Sequence, residues 1–521
     1  MSSLLAKADR QISTDSTCDE ATRNRSVAVV GEDSIRERLI IAREARKRWE
    51  RLSIGERVGF LPEFRRRIVD RAAELAQSTL VRCRSTRAEK VVAEVVPLVE
   101  ACEYLEKSAA KVLAPRRLGA RGRPLWLMGV TSVVERVPLG VVLIVAPSNY
   151  PLMLAGIQAL QAIVAGDAVI WKPGEGGTKS ALLFAEIARS AGLDPDLLIV
   201  TDETVDSAKR AIEAGVDKVI FTGSANSGRA ILASLAPRLT PATLELSGCD
   251  ACFILADADL DLVSKSLAFG LRFNGSETCI APRRVFVHRS RADELESKLK
   301  RAIVDVPNYT YEGINKINAI RMLDDAISGG ARVVAGAIHQ GNNTNISPSI
   351  ETPLILADVD PRCELMRSDL FMPWMTIVRY DSVREALDAD SICPYALGAS
   401  IFGDENEARE LARELRAGSI VINDLITPTA DPRLPFGGFG SSGFGSTRGA
   451  EGLLDLTAAR VVSTSRARFK PHLDPVREVD EALITSYLHL KHGHKSGFLR
   501  SLRSLLHAAR ERRIESTRTG S

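Results

Sequence analysis

Val141-Val142-Leu143-Ile144-Val145-Ala146-Pro147-Ser148-Asn149-Tyr150-Pro151 runs from five consecutive aliphatic residues into a turn. An unbroken apolar run suits a strand covered on both faces, because a half-exposed strand would alternate apolar and polar positions. Outward from it, residues 152–165 read as a helix and 168–171 as a second apolar strand, ending in Lys172-Pro173-Gly174-Glu175. A helix over 178–190, a strand over 197–200, a helix over 205–214 and a strand over 218–222 follow. Buried strands alternating with helices predict an α/β protein with a parallel sheet. Ligands bind at the carboxyl ends of such strands, and Asn149, Lys172, Glu175 and Gly223 all fall there.

Three further stretches carry chemistry. Phe221-Thr222-Gly223-Ser224-Ala225-Asn226-Ser227-Gly228 follows a strand and opens a helix, where small residues let backbone N–H groups and a hydroxyl approach a pyrophosphate. Phe273-Asn274-Gly275-Ser276-Glu277-Thr278-Cys279-Ile280-Ala281-Pro282 sets a cysteine between a helical segment, 260–271, and a strand-like run, 284–287. A cysteine is a strong nucleophile but reacts as thiolate, so Cys279 needs company. Thr243-Leu244-Glu245-Leu246-Ser247-Gly248 places a carboxylate in an apolar run 34 residues earlier. Burial of Glu245 would raise its pKa towards the range useful to a general base.

In order and spacing, Asn149, Glu245 and Cys279 resemble the asparagine, glutamate and cysteine of the aldehyde dehydrogenase superfamily. The glycine-dense Leu434-Pro435-Phe436-Gly437-Gly438-Phe439-Gly440-Ser441-Ser442-Gly443-Phe444-Gly445 is similar to another family motif, and the resemblance spans roughly residues 34–465. It implies a Rossmann-like cofactor domain (27–119 and 138–246), an α/β catalytic domain (247–454) and β oligomerisation strands (120–137 and 455–465). It further implies attack of Cys279 on an aldehyde carbonyl, with the oxyanion held by the Asn149 amide and the Cys279 backbone N–H. Glu245 would then activate the water that hydrolyses a thioester.

Lys172 and Glu175 resemble a Lys-Pro-x-Glu motif that holds the adenosine ribose, and Gly223, Ser224 and Gly228 would lie at the pyrophosphate. Asp369 stands where the family has a glutamate for the nicotinamide ribose, Phe371 keeps the ring-packing role, and Tyr150 and Phe436 would line the substrate pocket. A carboxylate at Glu175 would repel a 2′-phosphate, so the expected cofactor is NAD, with NADP as the alternative. Because CoA-acylating relatives lack the glutamate, a hydrolytic enzyme is expected. A CoA-acylating enzyme and a catalytically silent scaffold subunit are the competing readings. Four places depart from the family pattern: Ser276-Glu277 for the usual Gly-Gln, Asp369, Ser247, and Arg82-Cys83-Arg84-Ser85-Thr86-Arg87 in place of a glycine-containing turn.

The chain has 521 residues, 45% hydrophobic and 26% charged, with a net charge of +3, so more than one domain is expected and nucleic acid is not. Five of the seven histidines lie after residue 470, which argues against a histidine-built metal site, and no metal is expected. Eight irregularly spaced cysteines fit a reducing compartment. Within them, Cys249-Asp250-Ala251-Cys252 has redox or half-zinc spacing but no second pair nearby, so a buried structural role is expected. Asp257-Ala258-Asp259-Leu260-Asp261 reads as a helix cap rather than a calcium loop.

Residues 1–26 lack an apolar signal core and are expected to be disordered, and no apolar run is long enough to span a membrane. Helical periodicity marks Ile35, Leu39, Ile40 and Ala42, then Phe60, Leu61, Phe64 and Ile68, then Val92, Val95, Val96 and Val99. The extension 466–521 holds twelve Lys/Arg against six Asp/Glu. There Phe498, Leu499, Leu502, Leu505, Leu506 and Ala509 form an apolar face edged by Arg500, Arg503, Arg510 and Arg513, the pattern of a basic interfacial helix. A helix docked on its own or a neighbouring subunit is the alternative. The expected protein is cytoplasmic, a homodimer or homotetramer, with a peripheral membrane contact through this helix and an apolar or long-chain aldehyde as substrate.

Overall fold

The computed structural model describes residues 29–31, 34–79, 85–311, 316–339, 349–467, 470–473, 475–494 and 497–518. The expected disorder of 1–26 and half of the altered turn, at 82–84, lie outside them. The chain forms two compact units, one of residues up to 115 with 135–460, the other of 116–134 with 461–521.

The first unit contains two sheets. In one, the strands are β1 (Val141–Val145), β2 (Ala168–Lys172), β3 (Leu198–Val200), β4 (Lys218–Gly223) and β5 (Ala242–Leu246). Their spatial order is β5-β4-β1-β2-β3, all parallel, with Gly443–Phe444 added antiparallel at the β5 edge. Every residue of β1 and β2 is buried, as the unbroken apolar runs require. The crossover from β1 to β2 is the helix α1 (Met153–Ala165), also buried along its whole length. It ends at Gly166, whose φ of 108° is the left-handed cap that turns the chain into β2. Helix α2 (Ala225–Leu235) follows β4, and Ser224 caps it by accepting from the Ser227 N–H.

The second sheet is built on β6 (Asp250–Ile254), β7 (Pro282–His288), β8 (Ser349–Ala357), β9 (Trp374–Tyr380), β10 (Gly398–Phe402) and β11 (Ser419–Ile422). These run parallel in the order β8-β9-β7-β6-β10-β11, with antiparallel Tyr309–Tyr311 and Arg332–His339 both paired to β8. Helix α3 (Leu260–Arg272) links β6 to β7. Asp259 caps it by accepting from the N–H groups of Asp261 and Leu262, as the aspartate-rich stretch predicted.

The N-terminal helices bury Ile35, Leu39, Ala42, Phe60, Leu61, Phe64 and Ile68, while Ile40 faces outward. The third predicted face needs correction. Val95 is buried, but Val92 and Val96 are 58% and 46% exposed. Residues Val91–Val95 form a π-helical turn, which inserts one residue per turn and rotates the following face, so Leu98, Ala101, Cys102 and Leu105 enter the core instead.

In the second unit, Arg116–Leu118 pairs antiparallel with the strand Val130–Pro138, and Thr457–Ser465 completes a three-stranded sheet. The stretch 120–137, expected as an oligomerisation strand, is not β throughout: it contains a 3-10 turn, Leu125–Leu127, and Gly129 at φ 86° separates that turn from the strand. Beyond lie the helices Val479–His492 and Phe498–Arg518, joined by the Arg512–Asp480 ion pair at 2.6 Å. Ala508 is buried, Leu502 and Leu505 are half-buried, and Ala509 is exposed, so the inward face includes Ala508 rather than Ala509. Phe498, Leu499 and Leu506 stay exposed.

Candidate active site

A cavity of about 700 Å³ lies in the first unit, and Cys279, Glu245, Asn149, Asp369, Tyr150 and Phe436 all line it. Cys279 arrives on the short connection between α3 and β7. The chain reaches it through three consecutive left-handed residues, Asn274, Gly275 and Ser276, with φ of 51°, 62° and 58°. A serine in that region costs energy unless its surroundings over-determine it. Here the Ser276 hydroxyl donates to the Gly270 carbonyl at 2.9 Å, while Arg283 donates to the same hydroxyl at 2.9 Å and to the Ser276 carbonyl at 2.7 Å.

Asn149 sits in the turn after β1. Its Nδ2 donates to the Glu277 carbonyl at 2.9 Å, which aims the amide at the cysteine turn and leaves one of its two N–H groups outside that bond. Asn274 Nδ2 donates to the Asn149 carbonyl at 3.1 Å, and the buried Lys90 ammonium donates to Asn274 Oδ1 at 2.7 Å. Tyr150 is buried beside them, its hydroxyl 2.7 Å from that of Thr278. Glu277, which departs from the family's glutamine, does not line the cavity.

Glu245 is carried by β5 and is 3% exposed. Burial raises its pKa, as expected, and three groups oppose the rise: the Thr447 hydroxyl bonded to Oε1, the Arg448 guanidinium, and the Thr222 hydroxyl 3.3 Å from Oε2. The Cys279 thiol is likewise pushed up by burial and by the nearby Glu245 carboxylate, and Arg448 opposes this too. Arg448 is buried, stacks on the Phe436 ring with its guanidinium carbon 4.4 Å from the centroid, and donates to the Thr429 carbonyl at 2.7 Å. It is a cation common to the proposed nucleophile and base. Sequence reasoning missed it, because nothing about an arginine after the glycine-dense loop marks it as facing the cavity.

The cofactor candidates divide between the ends of β2 and β4 and the loop after β8. Lys172 is buried at the end of β2, and Glu175 is exposed just beyond it. Ser224 is exposed at the start of α2, and Gly223 lines the cavity. A Cβ on Gly228 would lie 2.8 Å from the Leu246 side chain, so glycine there permits close packing of α2 on β5. Asp369 Oδ1 accepts from Arg283 at 3.0 Å and from the Phe371 N–H at 2.9 Å, while Oδ2 is buried without a hydrogen-bond partner. Phe371, at φ 53°, also lines the cavity. An ammonium, a helix-capping hydroxyl and an unpaired buried oxygen at strand carboxyl ends fit a dinucleotide.

Residues 14–462 match the aldehyde dehydrogenase family. The chain is 29% identical over 444 residues to a 4,4'-diapolycopene aldehyde oxidase of Methylomonas sp, covering 83% of this chain and 82% of the relative. It is 32% identical to a geranial dehydrogenase of Castellaniella defragrans, covering 62% and 69% respectively. The crystal structure of a putative aldehyde dehydrogenase from Burkholderia cenocepacia superposes with a TM-score of 0.75 at 27% identity, covering 84% of this chain and 93% of the other. The chain belongs to the aldehyde dehydrogenase family. It is an NAD(P)-dependent oxidoreductase with that family's α/β fold.

Proposed function

We propose that this enzyme oxidises an apolar, long-chain aldehyde to its carboxylate through an acyl intermediate on Cys279. The observation that carries the reading is that Cys279, Asn149 and Glu245, from three separate elements, face one cavity whose other walls include Val92, Met153, Leu154, Phe269, Phe273 and Phe436. Cys279 attacks the carbonyl carbon, and the oxygen receives the remaining Asn149 N–H and the Cys279 backbone N–H. One such donor is typically worth ~3 kcal/mol of barrier. Bound NAD(P)+ supplies the hydride acceptor. Glu245 then takes a proton from the water that attacks the thioester, and its burial suits it to that task. Lys172 and Glu175 would hold the adenosine ribose, Gly223, Ser224 and Gly228 the pyrophosphate side, and Asp369 and Phe371 the nicotinamide side.

The same reading favours NAD. Burial lowers the Lys172 pKa, and Glu203, Asp202 and Glu175 act against that shift, so carboxylates surround this strand end. They would repel a 2′-phosphate. The apolar substrate is supported by the cavity and by two relatives named for 4,4'-diapolycopene aldehyde and for geranial. Among the described residues no helix is long and apolar enough to cross a membrane. The exposed Phe498, Leu499 and Leu506, edged by arginines, support peripheral contact with an anionic membrane surface. Exposed Val461 and Val462 on the strand Thr457–Ser465 support a homo-oligomer paired through that sheet.

The test is NADH formation across a series of aldehydes of rising chain length, with Cys279→Ala as control. Rising kcat/KM with length, loss of turnover in the variant and retained NAD+ binding are expected. Turnover by Cys279→Ala would overturn the assignment, and a preference for short polar aldehydes would overturn the substrate class.

A further inference from the structure

The turn that carries Asn149 is held from behind by Lys90, Glu94 and Asn274, none of which lines the cavity. Lys90 closes the short helix Arg87–Lys90, which Thr86 caps by accepting from the Glu89 N–H. Its side chain is buried, and its ammonium donates to Asn274 Oδ1 at 2.7 Å. An ammonium can only donate, so the Asn274 amide oxygen must face Lys90 and the amide nitrogen must point away. The Ser85 hydroxyl also lies 3.3 Å from Oδ1, but a hydroxyl donates or accepts and imposes no direction. Asn274 Nδ2 then falls 3.1 Å from the Asn149 carbonyl and 3.4 Å from the Glu277 carbonyl. The Glu277 carbonyl is also the acceptor of the Asn149 amide. Lys90 therefore sets which way round one amide sits between the turns of Asn149 and Cys279.

Glu94 holds the far side of the same turn. Its Oε2 accepts from the Met153 N–H at 2.7 Å and the Leu152 N–H at 3.2 Å, at the start of α1. Its Oε1 is buried with no hydrogen-bond partner among the described residues, and Lys90 Nζ stands 3.9 Å from it. The two side chains are only 7% and 0% exposed, so each is the other's counter-charge. Between them runs the π turn Val91–Val95, whose Val92 and Ala93 line the cavity. A buried pair of this kind adds little stability over an apolar one. What it contributes is direction, imposed on Asn274 from one side and on the α1 N-terminus from the other.

We propose that Lys90 is a positioning residue for the oxyanion donor. Through Asn274 it fixes the Asn149 backbone, and with it the direction in which the second N–H of the Asn149 amide meets the substrate oxygen. Glu94 balances the charge and pins the residues that follow the turn. Lys90 does not line the cavity, so its effect falls on the step in which negative charge develops on that oxygen. Such a donor acts by being in place beforehand, and a displacement of about 1 Å can cost roughly 100-fold in rate. With an apolar residue at position 90, Asn274 loses the group that sets its orientation and its amide is free to turn over. The amide oxygen would then face the Asn149 and Glu277 carbonyls, acceptor against acceptor, and the two turns would part.

This role rests on the proposed oxyanion function of Asn149, and one experiment separates the two. The rate of the first NADH turnover is measured for the full-length parent, Asn149→Ala, Lys90→Met and Asn149→Ala/Lys90→Met. Asn149→Ala should slow it about 100-fold or more. Lys90→Met should slow it roughly 10- to 100-fold while the Kd for NAD+ stays unchanged. In the Asn149→Ala background, Lys90→Met should slow it no further, because two residues acting through one group do not add. Equal slowing in both backgrounds would make Lys90 a structural residue and overturn the positioning role, as would an unslowed Lys90→Met. An Asn149→Ala as fast as the parent would remove the oxyanion function itself, and the positioning role with it. Should Lys90→Met fail to fold, Lys90→Met/Glu94→Gln takes its place, since it leaves no unpaired charge and keeps an acceptor for the Met153 N–H. The same absence of further slowing in the Asn149→Ala background is expected of it.

Discussion

Arg283 and Asp369 form a buried ion pair, Nε to Oδ1 at 3.0 Å, with side chains only 1% and 3% exposed. The same guanidinium holds the hydroxyl and carbonyl of Ser276 and also donates to the Met372 carbonyl at 2.8 Å. Two departures from the family pattern, a serine ahead of Cys279 and an aspartate at the proposed nicotinamide side, are therefore joined through one arginine. The shorter aspartate meets Arg283, and Arg283 stabilises the left-handed serine.

Removing Arg283 should destabilise the protein sharply. Arg283→Met leaves the Asp369 carboxylate and the Ser276 carbonyl without this partner, and breaking a buried pair typically costs about 3–5 kcal/mol. Denaturant unfolding should show that loss, and Arg283→Met/Asp369→Leu should recover part of it. A single variant as stable as the parent would mean that the ion pair contributes little to the fold.

Glu245→Gln should separate acylation from deacylation. One equivalent of NADH should appear in a burst, followed by a stall with an acyl group on Cys279 visible by mass spectrometry. Sustained turnover at the parental rate would assign the base elsewhere.

Arg448→Met should displace two titrations in the same direction. The cation opposes the burial-driven rise of both the Glu245 and the Cys279 pKa, so its loss lets both climb further. The pH profile of iodoacetamide alkylation at Cys279 should move to higher pH, as should the limb of the deacylation profile that reports Glu245. Arg448→Lys should restore part of each shift. A purely structural arginine would lower activity at every pH without moving either profile.

Deleting residues 496–521 should weaken co-sedimentation with anionic vesicles and raise KM for long-chain aldehydes presented in them, while short soluble aldehydes are processed as before. Each arginine near a charged surface contributes ~1 kcal/mol, and the leucine face adds ~25 cal/mol per Å² of apolar area. High salt should mimic only the first part. Unchanged vesicle binding with an altered oligomeric state by light scattering would make the helix a subunit contact.

The parallel sheet was legible because β1 and β2 are buried on both faces, which leaves no polar alternation to misread. Asn149, Glu245 and Cys279 were legible because each sits in a short motif whose residue types suit a known chemistry. Lys90, Arg283, Thr447 and Arg448 were not, since each reaches its partner across long sequence separations, and an isolated charged or hydroxyl residue carries no local pattern. The face at Val92 was misread for a different reason: a π turn shifts helical phase without leaving any mark in a hydrophobic pattern.

The Thr447–Glu245 hydrogen bond joins residues 202 positions apart, and Gly443–Phe444 closes the edge of the sheet beside Glu245. During synthesis, Cys279 and Glu245 leave the ribosome long before the loop that completes their surroundings. A nascent chain therefore carries the Cys279 thiol through the addition of the next 168 residues without Thr447 beside it. A chain that stops short of residue 448 has the proposed nucleophile without the cation that opposes the rise of its pKa.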